Sequence, residues 1–544
     1  MSPPSWLDPS ELRVGLGCMR MPPEVALETI AAAVQSGITV FDTARAYDDN
    51  ESIVAHALRH ADAVDTARIV TKGGMKPTEG RWIPDGRAKA IRADCEESLA
   101  ALDGLKIDLY LIHAPDPATP WTTSVRALAR LVDEGLVNRV GVANVNRRQL
   151  DEALELAPVA AVQVALSLYD DSALRGGVVE RCEELEVAVI AHSPLGGTRR
   201  AGRLARDGLA EAALAWLLEL SPAVVAIPGA RRPETARSAA RAARLRLDAS
   251  DRAALGLSKP KRRSRPRGDG DVVVVMGIPG AGKSRVAEQY VARGYVRLNR
   301  DELGGTLRDI AAALDKQLSS GSRRVVLDNT YLTRASRSYV IETAVRHGAT
   351  PHCVWLDTPL AQAQVNLVAR LLERFGSLPS PQELKARSGE PGVLAPTSQM
   401  RALRELEPPT TDEGFAAVEQ VPFERAPTAG RVGVFVAATA PARPGWAQSL
   451  VREAPCLVFD WADDATALDA AAVRLAAEVS GPVEVALCPH GGGPPRCWCR
   501  PPLPGLPLAF ARAHGVDPAR SLLLGTSPTH RTLAAALGAR CVLF

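Results

Sequence analysis

The chain has 544 residues, 46% of them apolar and 23% charged, with a formal net charge of +3 at neutral pH. That length implies about three domains of ordinary globular composition, and so small a net charge excludes the strongly basic or acidic chains that meet nucleic acid or membrane through their overall field. No apolar run approaches a membrane span, the first residues lack a basic start followed by an apolar core, and nine cysteines in so long a chain do not suggest a disulfide framework, so a cytoplasmic location without a membrane partner is expected.

From Leu12 onward, short β-branched runs alternate with amphipathic helical stretches. The runs are Leu12 to Gly17, Thr39 to Asp42, Arg68 to Lys72, Ile107 to His113, Arg139 to Asn144, Ala160 to Val164, Val187 to Ser193 and Ala223 to Gly229. Strands alternating with helices in this way predict an α/β fold, a (β/α)8 TIM barrel over residues 1–257. Chemistry in such a barrel sits at the C-terminal strand ends, which here carry Asp42, Lys72, His113, Asn144, Gln163, His192 and Ser193. A tyrosine, with an ordinary pKa near ~10, needs neighbouring positive charge to protonate a carbonyl oxygen at neutral pH. Lys72 supplies that charge to Tyr47, Asp42 keeps Lys72 ionised, and His113 orients a carbonyl by hydrogen bonding.

The motifs Phe41-Asp42-Thr43-Ala44-x-x-Tyr47, Thr71-Lys72, Leu111-Ile112-His113, Gly141-Val142-Ala143-Asn144, His192-Ser193-Pro194-Leu195-Gly196 and Ile227-Pro228-Gly229-Ala230-Arg231 resemble the aldo/keto reductase family. The resemblance implies Tyr47 as general acid, assisted by Asp42, Lys72 and His113, and NADPH as cofactor. It further implies that Asn144 and Gln163 hold the nicotinamide carboxamide, that Ser193, Leu195 and Gly229 lie in the cofactor loops, and that Arg231 or Arg232 meets the 2′-phosphate. Two positions depart from the family: Ala143 stands where serine is usual, and His192 where an aromatic often stacks on the nicotinamide. A barrel kept only as a scaffold is the competing reading, and the carbonyl substrate is not specified.

Residues 258–270 form a basic linker. Lys259-Pro-Lys-Arg-Arg-Ser-Arg-Pro-Arg267 has six basic residues in nine, with prolines that resist helix formation. It reads as a solvated boundary or as a contact to phosphate backbone.

Residues 271–426 open on the apolar run Asp271 to Met276, which feeds into Gly277-Ile-Pro-Gly280-Ala-Gly282-Lys283-Ser284, a complete P-loop. Successive backbone N–H groups of such a turn, with the following helix N-terminus, cradle polyphosphate oxygens. Lys283 is expected on the β- and γ-phosphates of ATP and Ser284 on Mg²⁺. Strands ending at Asp301, Asp328 and Asp357 complete a doubly wound pattern whose ends converge on the P-loop edge. Transfer to a hydroxyl needs a base for the acceptor proton. Asp301 is the better candidate, and Asp328 is the second carboxylate, near Mg²⁺ or the acceptor.

The motifs Gly277-x-Pro-Gly-Ala-Gly-Lys-Ser, Val296-x-x-Asn299-Arg300-Asp301-x-Leu303-Gly304, Asp328-Asn329-Thr330, Leu360-x-Gln362-Ala363-x-x-Asn366 and Pro409-Thr410-x-x-Glu413-Gly414-Phe415 resemble the kinase domain of polynucleotide kinase-phosphatase. The resemblance implies ATP-dependent phosphorylation of 5′-hydroxyl ends of DNA or RNA, with Asp301 as general base. Arg370 is the closest match to the family's γ-phosphate arginine, with Arg374 the alternative. Small-molecule kinases share the P-loop and the Asp-Asn pair, so a small alcohol remains open as acceptor. The Pro-, Ser- and Arg-rich stretch from Glu373 to Pro409 reads as a lid or an irregular loop. Its Arg374, Arg387, Arg401 and Arg404 fit a phosphate track or solvated helix faces.

Residues 428–544 contain strand-like runs at Val432 to Val436, Val483 to Leu487, Ser521 to Gly525 and Ala539 to Phe544, a small α/β sheet. Cys488, His490, Cys497 and Cys499 form two close pairs, and three thiolates with one imidazole suit a closed tetrahedral Zn²⁺ site. Cys488-Pro-His490 with Cys497-x-Cys499-Arg500-Pro-Pro-x-Pro504-Gly505 resembles the zinc loop of histidinol-phosphate-type phosphatases of the haloacid dehalogenase superfamily. Where that family needs an Asp-x-Asp, this chain has Ala437-Ala-Thr439. The family's lysine is matched by Pro501, and its late aspartates by Thr526 and His530. An aspartyl-phosphate mechanism cannot run without its aspartate, so the domain reads as HAD-like but inactive.

Together these expectations describe an NADP-dependent reductase-like barrel, a polynucleotide 5′-kinase and a zinc-bearing inactive phosphatase domain in nucleic-acid end repair. The competing readings are a bifunctional metabolic enzyme, reducing a carbonyl and phosphorylating a small alcohol, and an assembly in which only the kinase turns over. Oligomeric state is not specified.

Overall fold

The computed structural model describes residues 6–8, 10–78, 81–257, 270–425, 429–493 and 495–544. The basic run Lys259 to Arg267 lies outside the described residues. The chain forms two compact units, Met1–Arg263 with Thr333–Ser338, and Ser264–Leu332 with Tyr339–Phe544.

In the first unit all eight expected strands are present: β1 (Leu16–Gly17), β2 (Val40–Asp42), β3 (Arg68–Gly73), then, after a hairpin of β4 (Met75–Thr78) and β5 (Arg81–Pro84), β6 (Ile107–Ile112), β7 (Val140–Ala143), β8 (Val159–Ala165), β9 (Ala188–His192) and β10 (Val224–Ala226). They run parallel in the order β1-β2-β3-β6-β7-β8-β9-β10. Backbone hydrogen bonds from Gly15 to Ala226, from Ala226 to Arg13 and from Gly17 to Pro228 join the two ends and close the barrel. Val40, Val70, Leu109, Leu111, Ala143, Ala161, Ala188, Ile190, Val225 and Ile227 fill its interior, while a separate apolar shell packs helices on the outside. Strands buried on both faces explain why these segments read as nearly continuous apolar runs rather than alternating ones.

The second unit holds two parallel sheets. One joins β11 (Asp271–Met276), β12 (Val296–Leu298), β13 (Arg324–Asp328), β14 (Thr350–Asp357) and β15 (Ala417–Pro422) in the order β12-β13-β11-β14-β15. The other joins β16 (Val434–Ala437), β17 (Cys456–Trp461), β18 (Val483–Cys488), β19 (Leu522–Gly525) and β20 (Arg540–Leu543) in the order β18-β17-β16-β19-β20. In each the first strand lies centrally with the chain winding both ways from it, the topology that opens a crevice at the strand C-termini. β15 and β17 escape the sequence reading: β15 is a polar edge strand, and β17 is a short apolar run without a motif beside it.

The two sheets share apolar packing. Leu367, Val368, Leu371 and Leu372 of the helix Leu360–Phe375 form one buried cluster with Leu384, Val393, Trp498 and Leu503. Arg425, just past β15, donates to the carbonyls of Leu537 and Ala536 and to Gln362 Oε1. No helix among the described residues is long and apolar enough to cross a membrane.

Candidate functional site

The P-loop is locked by its neighbours. Gly280 has φ 86°, and a Cβ there would stand 2.2 Å from the Ala363 carbonyl oxygen, while one on Gly277 would meet the Leu356 carbonyl at 2.9 Å. Only glycine allows such backbone approach. Gln399, Asn366 and Thr358 donate to the carbonyls of Pro279, Gly280 and Ala281. Asn366 is thus a loop clamp, whereas Gln362 donates to the Ala536 carbonyl in the helix Pro528–Leu537 beside the other sheet. Lys283 opens the helix Lys283–Val291, whose first-turn N–H groups lack intrahelical acceptors and form an anion site. Its Nζ donates to the carbonyls of Gly277 and Ile278 at 3.1 Å each, inside the loop it serves. Burial lowers the Lys283 pKa to about 8, partly offset by Asp328 and Asp301.

A cavity of about 450 Å³ gathers the predicted kinase residues: Gly280, Gly282, Lys283, Ser284, Asp301, Asp328 and Arg370 all line it. Asp301 is exposed on the short helix Arg300–Leu303, and no ion-pair partner of its carboxylate is found among the described residues. Asn299 fixes the turn below it, accepting from the Asp301 N–H and donating to the Asp328 carbonyl, while Asn329 accepts from the Arg300 N–H. Asp328, expected as the second carboxylate near Mg²⁺ or the acceptor, lines the same cavity. It is buried and paired to Arg297, which also reaches Glu302 at 3.2 Å. A carboxylate at a buried strand end requires such a counter-charge. Among the arginines, Arg374 is committed to Glu390 and the Pro391 carbonyl, which leaves Arg370, 3.8 Å from a Cβ on Gly392, as the γ-phosphate candidate. A second cavity of about 480 Å³ shares Gly280, Gly282 and Arg370 with the first and extends past Phe423 and Arg425 to Asp517 and Leu537.

At the mouth of the barrel, Lys72, fully buried, donates from Nζ to Asp42 Oδ1 and to the Thr43 carbonyl, both at 2.7 Å. Gln163 Nε2 also donates to Asp42 Oδ1, at 2.7 Å. The Lys72 ammonium lies 5.4 Å from the Tyr47 ring centre. Tyr47 meets His113 edge-on at 5.6 Å and Trp82 of β5 at 5.3 Å. Trp82 is absent from the sequence reading, because a hairpin between barrel strands leaves no periodic signature. Burial, with Asp42 adding to it, pushes the Tyr47 pKa up. Burial and the Lys72 charge hold the His113 pKa down to about 3, and its Nδ1 is buried without a hydrogen-bond partner.

Asn144, with φ 57°, donates to the His113 carbonyl and pairs through Oδ1 with His192 Nε2 at 3.1 Å, so both ends of its amide are engaged. His192, standing where an aromatic is usual, brings a ring nitrogen within reach of that amide. Ser193, φ 51°, is exposed beside it and within 3.3 Å of His192 Nδ1. Leu195 is half-buried, and Gly229, Arg231 and Arg232 are exposed beyond β10.

Cys488, His490, Cys497 and Cys499 converge, their ligand atoms all lying within 4.8 Å of one another. Cys488 Sγ is 3.6 Å from Cys497 Sγ and 3.3 Å from Cys499 Sγ, and His490 Nδ1 is 3.5 and 3.2 Å from Cys488 and Cys499. Zn–S bonds of about 2.3 Å imply tetrahedral edges of roughly 3.8 Å, so the donor set fits a structural zinc. At the C-terminal end of β16, Thr439 Oγ1 meets Thr526 Oγ1 at 2.5 Å, and His530 Nδ1 lies 3.1 Å from Ser527 Oγ. Asp460 of β17 brings a carboxylate oxygen to 3.9 Å from His530 Nε2.

Comparison with known proteins divides along the same lines. Residues 13–208 match the aldo/keto reductase family and residues 272–387 match an AAA domain. Over 198 residues the chain is 32% identical to a probable aldo-keto reductase of Glycine max, a match spanning 34% of this chain and 56% of that protein. The chain thus spans about half the length of that curated relative. Among solved structures, a glycerol dehydrogenase of Gluconobacter oxydans is 26% identical, with 46% of this chain and 93% of that one covered and a TM-score of 0.40. An aldo-keto reductase of Klebsiella pneumoniae solved with NADPH is 24% identical, with 46% and 93% covered and a TM-score of 0.38. The first unit carries an aldo/keto reductase-type domain. The second carries a kinase-like P-loop domain.

Replacing Lys72 by Met leaves Asp42 buried without its counter-charge and is expected to destabilise the barrel by about 3–5 kcal/mol, read by thermal unfolding. His113, with its pKa near 3 against an ordinary 6.5, takes up its proton in the unfolded chain first, so its burial costs stability as pH falls through that window. Its ring resonances are expected not to titrate between about pH 5 and 8 by NMR; a midpoint near 6.5 contradicts the site as described.

Proposed function

We propose that this protein is an ATP-dependent polynucleotide 5′-hydroxyl kinase fused to an NADP-dependent carbonyl reductase domain and a zinc-bearing, inactive phosphatase-like domain, acting in repair of nucleic-acid ends. The observation that carries the kinase reading is the unpaired Asp301 carboxylate in the same cavity as Lys283, Ser284 and Arg370. Lys283 and the first turn of its helix hold the β- and γ-phosphates, Ser284 ligates Mg²⁺, and the adjoining cavity past Phe423 receives the nucleoside. Asp301 takes the proton of the attacking 5′-hydroxyl as its oxygen bonds to the γ-phosphorus and the bond to the β-phosphate breaks. Arg370 stabilises the charge that spreads over the transferring group.

In the barrel, Tyr47 donates its proton to the carbonyl oxygen, His113 in neutral form orients that carbonyl, and the Lys72 ammonium, kept ionised by Asp42, stabilises the tyrosinate left behind. NADPH, when bound, supplies the hydride. Gln163 Oε1 and Asn144, once released by His192, are the groups for its carboxamide, and Arg231 or Arg232 those for its 2′-phosphate. The chemistry of the cysteine and histidine donor set supports Zn²⁺ as a structural ion.

The test is transfer of labelled phosphate from ATP to 5′-hydroxyl DNA and RNA oligonucleotides. Asp301→Asn is expected to lower the rate by roughly 10²- to 10⁴-fold with ATP binding retained, and Lys283→Ala to abolish transfer. Labelling of small polyols but not of oligonucleotides would assign a metabolic acceptor instead. With NADPH and generic aldehydes, Tyr47→Phe is expected to lower turnover by about 10²-fold or more while NADPH fluorescence still reports binding; full activity would remove Tyr47 as the acid.

A further inference from the structure

The phosphate cavity is roofed by Ser388, Gly389, Glu390, Pro391, Gly392 and Leu394. These belong to a segment that leaves the helix Leu360–Phe375 at Gly376 and returns at the helix Pro396–Glu405. Both stems of this lid rest on the cysteine loop of the other sheet. At the first stem, Leu378 packs on the cluster that contains Cys488, Cys497 and Cys499, and a Cβ on Gly505 would stand 3.0 Å from its Cδ1. At the second, the Trp498 indole N–H donates to the Leu394 carbonyl at 2.9 Å. Between them, the lid helix Pro381–Ala386 buries Leu384 alone, in the cluster that holds Trp498 and Leu503.

Trp498 stands between two of the four converging donors and is 1% exposed. Its backbone is held between Cys497 and Cys499, and the Gly505 N–H closes the loop beneath by bonding to the Trp498 carbonyl at 3.0 Å. Within the lid, Ser380 caps a six-residue helix whose one buried side chain is Leu384, Arg374 pairs with Glu390, and Val393 is buried with Leu384 in the cluster that joins them to the helix Leu360–Phe375. The lid's position over Lys283 and Arg370 is therefore set jointly by that helix and, from the second sheet, by Trp498 and Leu503.

We infer that the cysteine and histidine loop is the anchor of the kinase lid, and that Trp498 is a positioning residue for phosphoryl transfer, acting through Leu394 and Leu384. This rests on the kinase reading above for its functional half. It also assigns the phosphatase-like sheet a use that does not depend on an aspartyl nucleophile.

Limited trypsin digestion of the full-length protein, followed by mass spectrometry, reads lid position without requiring activity, because Arg387 is exposed on the lid. Trp498→Ala is expected to speed cleavage after Arg387 by about ten-fold, and Trp498→Phe, which keeps the packing, by less than about three-fold. In the labelling assay Trp498→Ala should lower kcat about ten-fold with the KM for ATP within about three-fold. Leu384→Ala, which leaves the four donors intact, should move both readouts the same way, and chelation of wild-type protein should speed Arg387 cleavage ahead of other sites. Wild-type cleavage rates at Arg387 in Trp498→Ala, or in Leu384→Ala if Trp498→Ala does not fold, overturn the inference. A wild-type protein that labels no acceptor overturns the kinase reading instead, and leaves the cleavage result to decide the anchor.

Discussion

The second unit depends on the closeness of two pieces of backbone. Gly280 lies so near the carbonyl of Ala363 that no side chain fits between them, and this contact fastens the phosphate loop to the helix Leu360–Phe375. That helix then does several things at once. It clamps the loop through Asn366, presents Arg370 to the cavity, and gives its apolar face to Trp498 and the lid. A helix shared by phosphate loop, Arg370 and lid keeps their relative positions under one constraint, as placement of charge on a transferring group would require.

The barrel is organised by a different constraint, a buried charge. Lys72 has no exposed surface, and its ammonium is satisfied by Asp42 and the Thr43 carbonyl. Isolated, either ion would be costly to bury; paired and hydrogen-bonded, with Gln163 completing Asp42, the two hold the ends of β2, β3 and β8 together. The surrounding desolvation pushes the Tyr47 pKa up and the His113 pKa down.

In the C-terminal sheet the Thr439 and Thr526 hydroxyls face each other at the strand ends, and four cysteine and histidine side chains converge beyond β18. The four side chains flank Trp498 and the loop to Gly505, whose burial is shared with the helix Leu360–Phe375 and the segment that follows it.

Most of this was legible in the residues themselves. The P-loop, the Asp-Lys-Tyr-His set, the eight barrel strands and the four converging cysteine and histidine side chains each carry a spacing or residue type that marks them in the sequence, because local backbone geometry and side-chain chemistry act over a few positions. What only the folded chain decided are the partners drawn from distant segments. Asp328 is spent on Arg297, Arg374 on Glu390, Asn144 on His192, and Trp82 comes to lie on Tyr47. No spacing encodes such pairings: each side chain finds its partner only when burial forbids leaving a charge or amide unmet, and which partner is near is a property of packing rather than of neighbours in sequence.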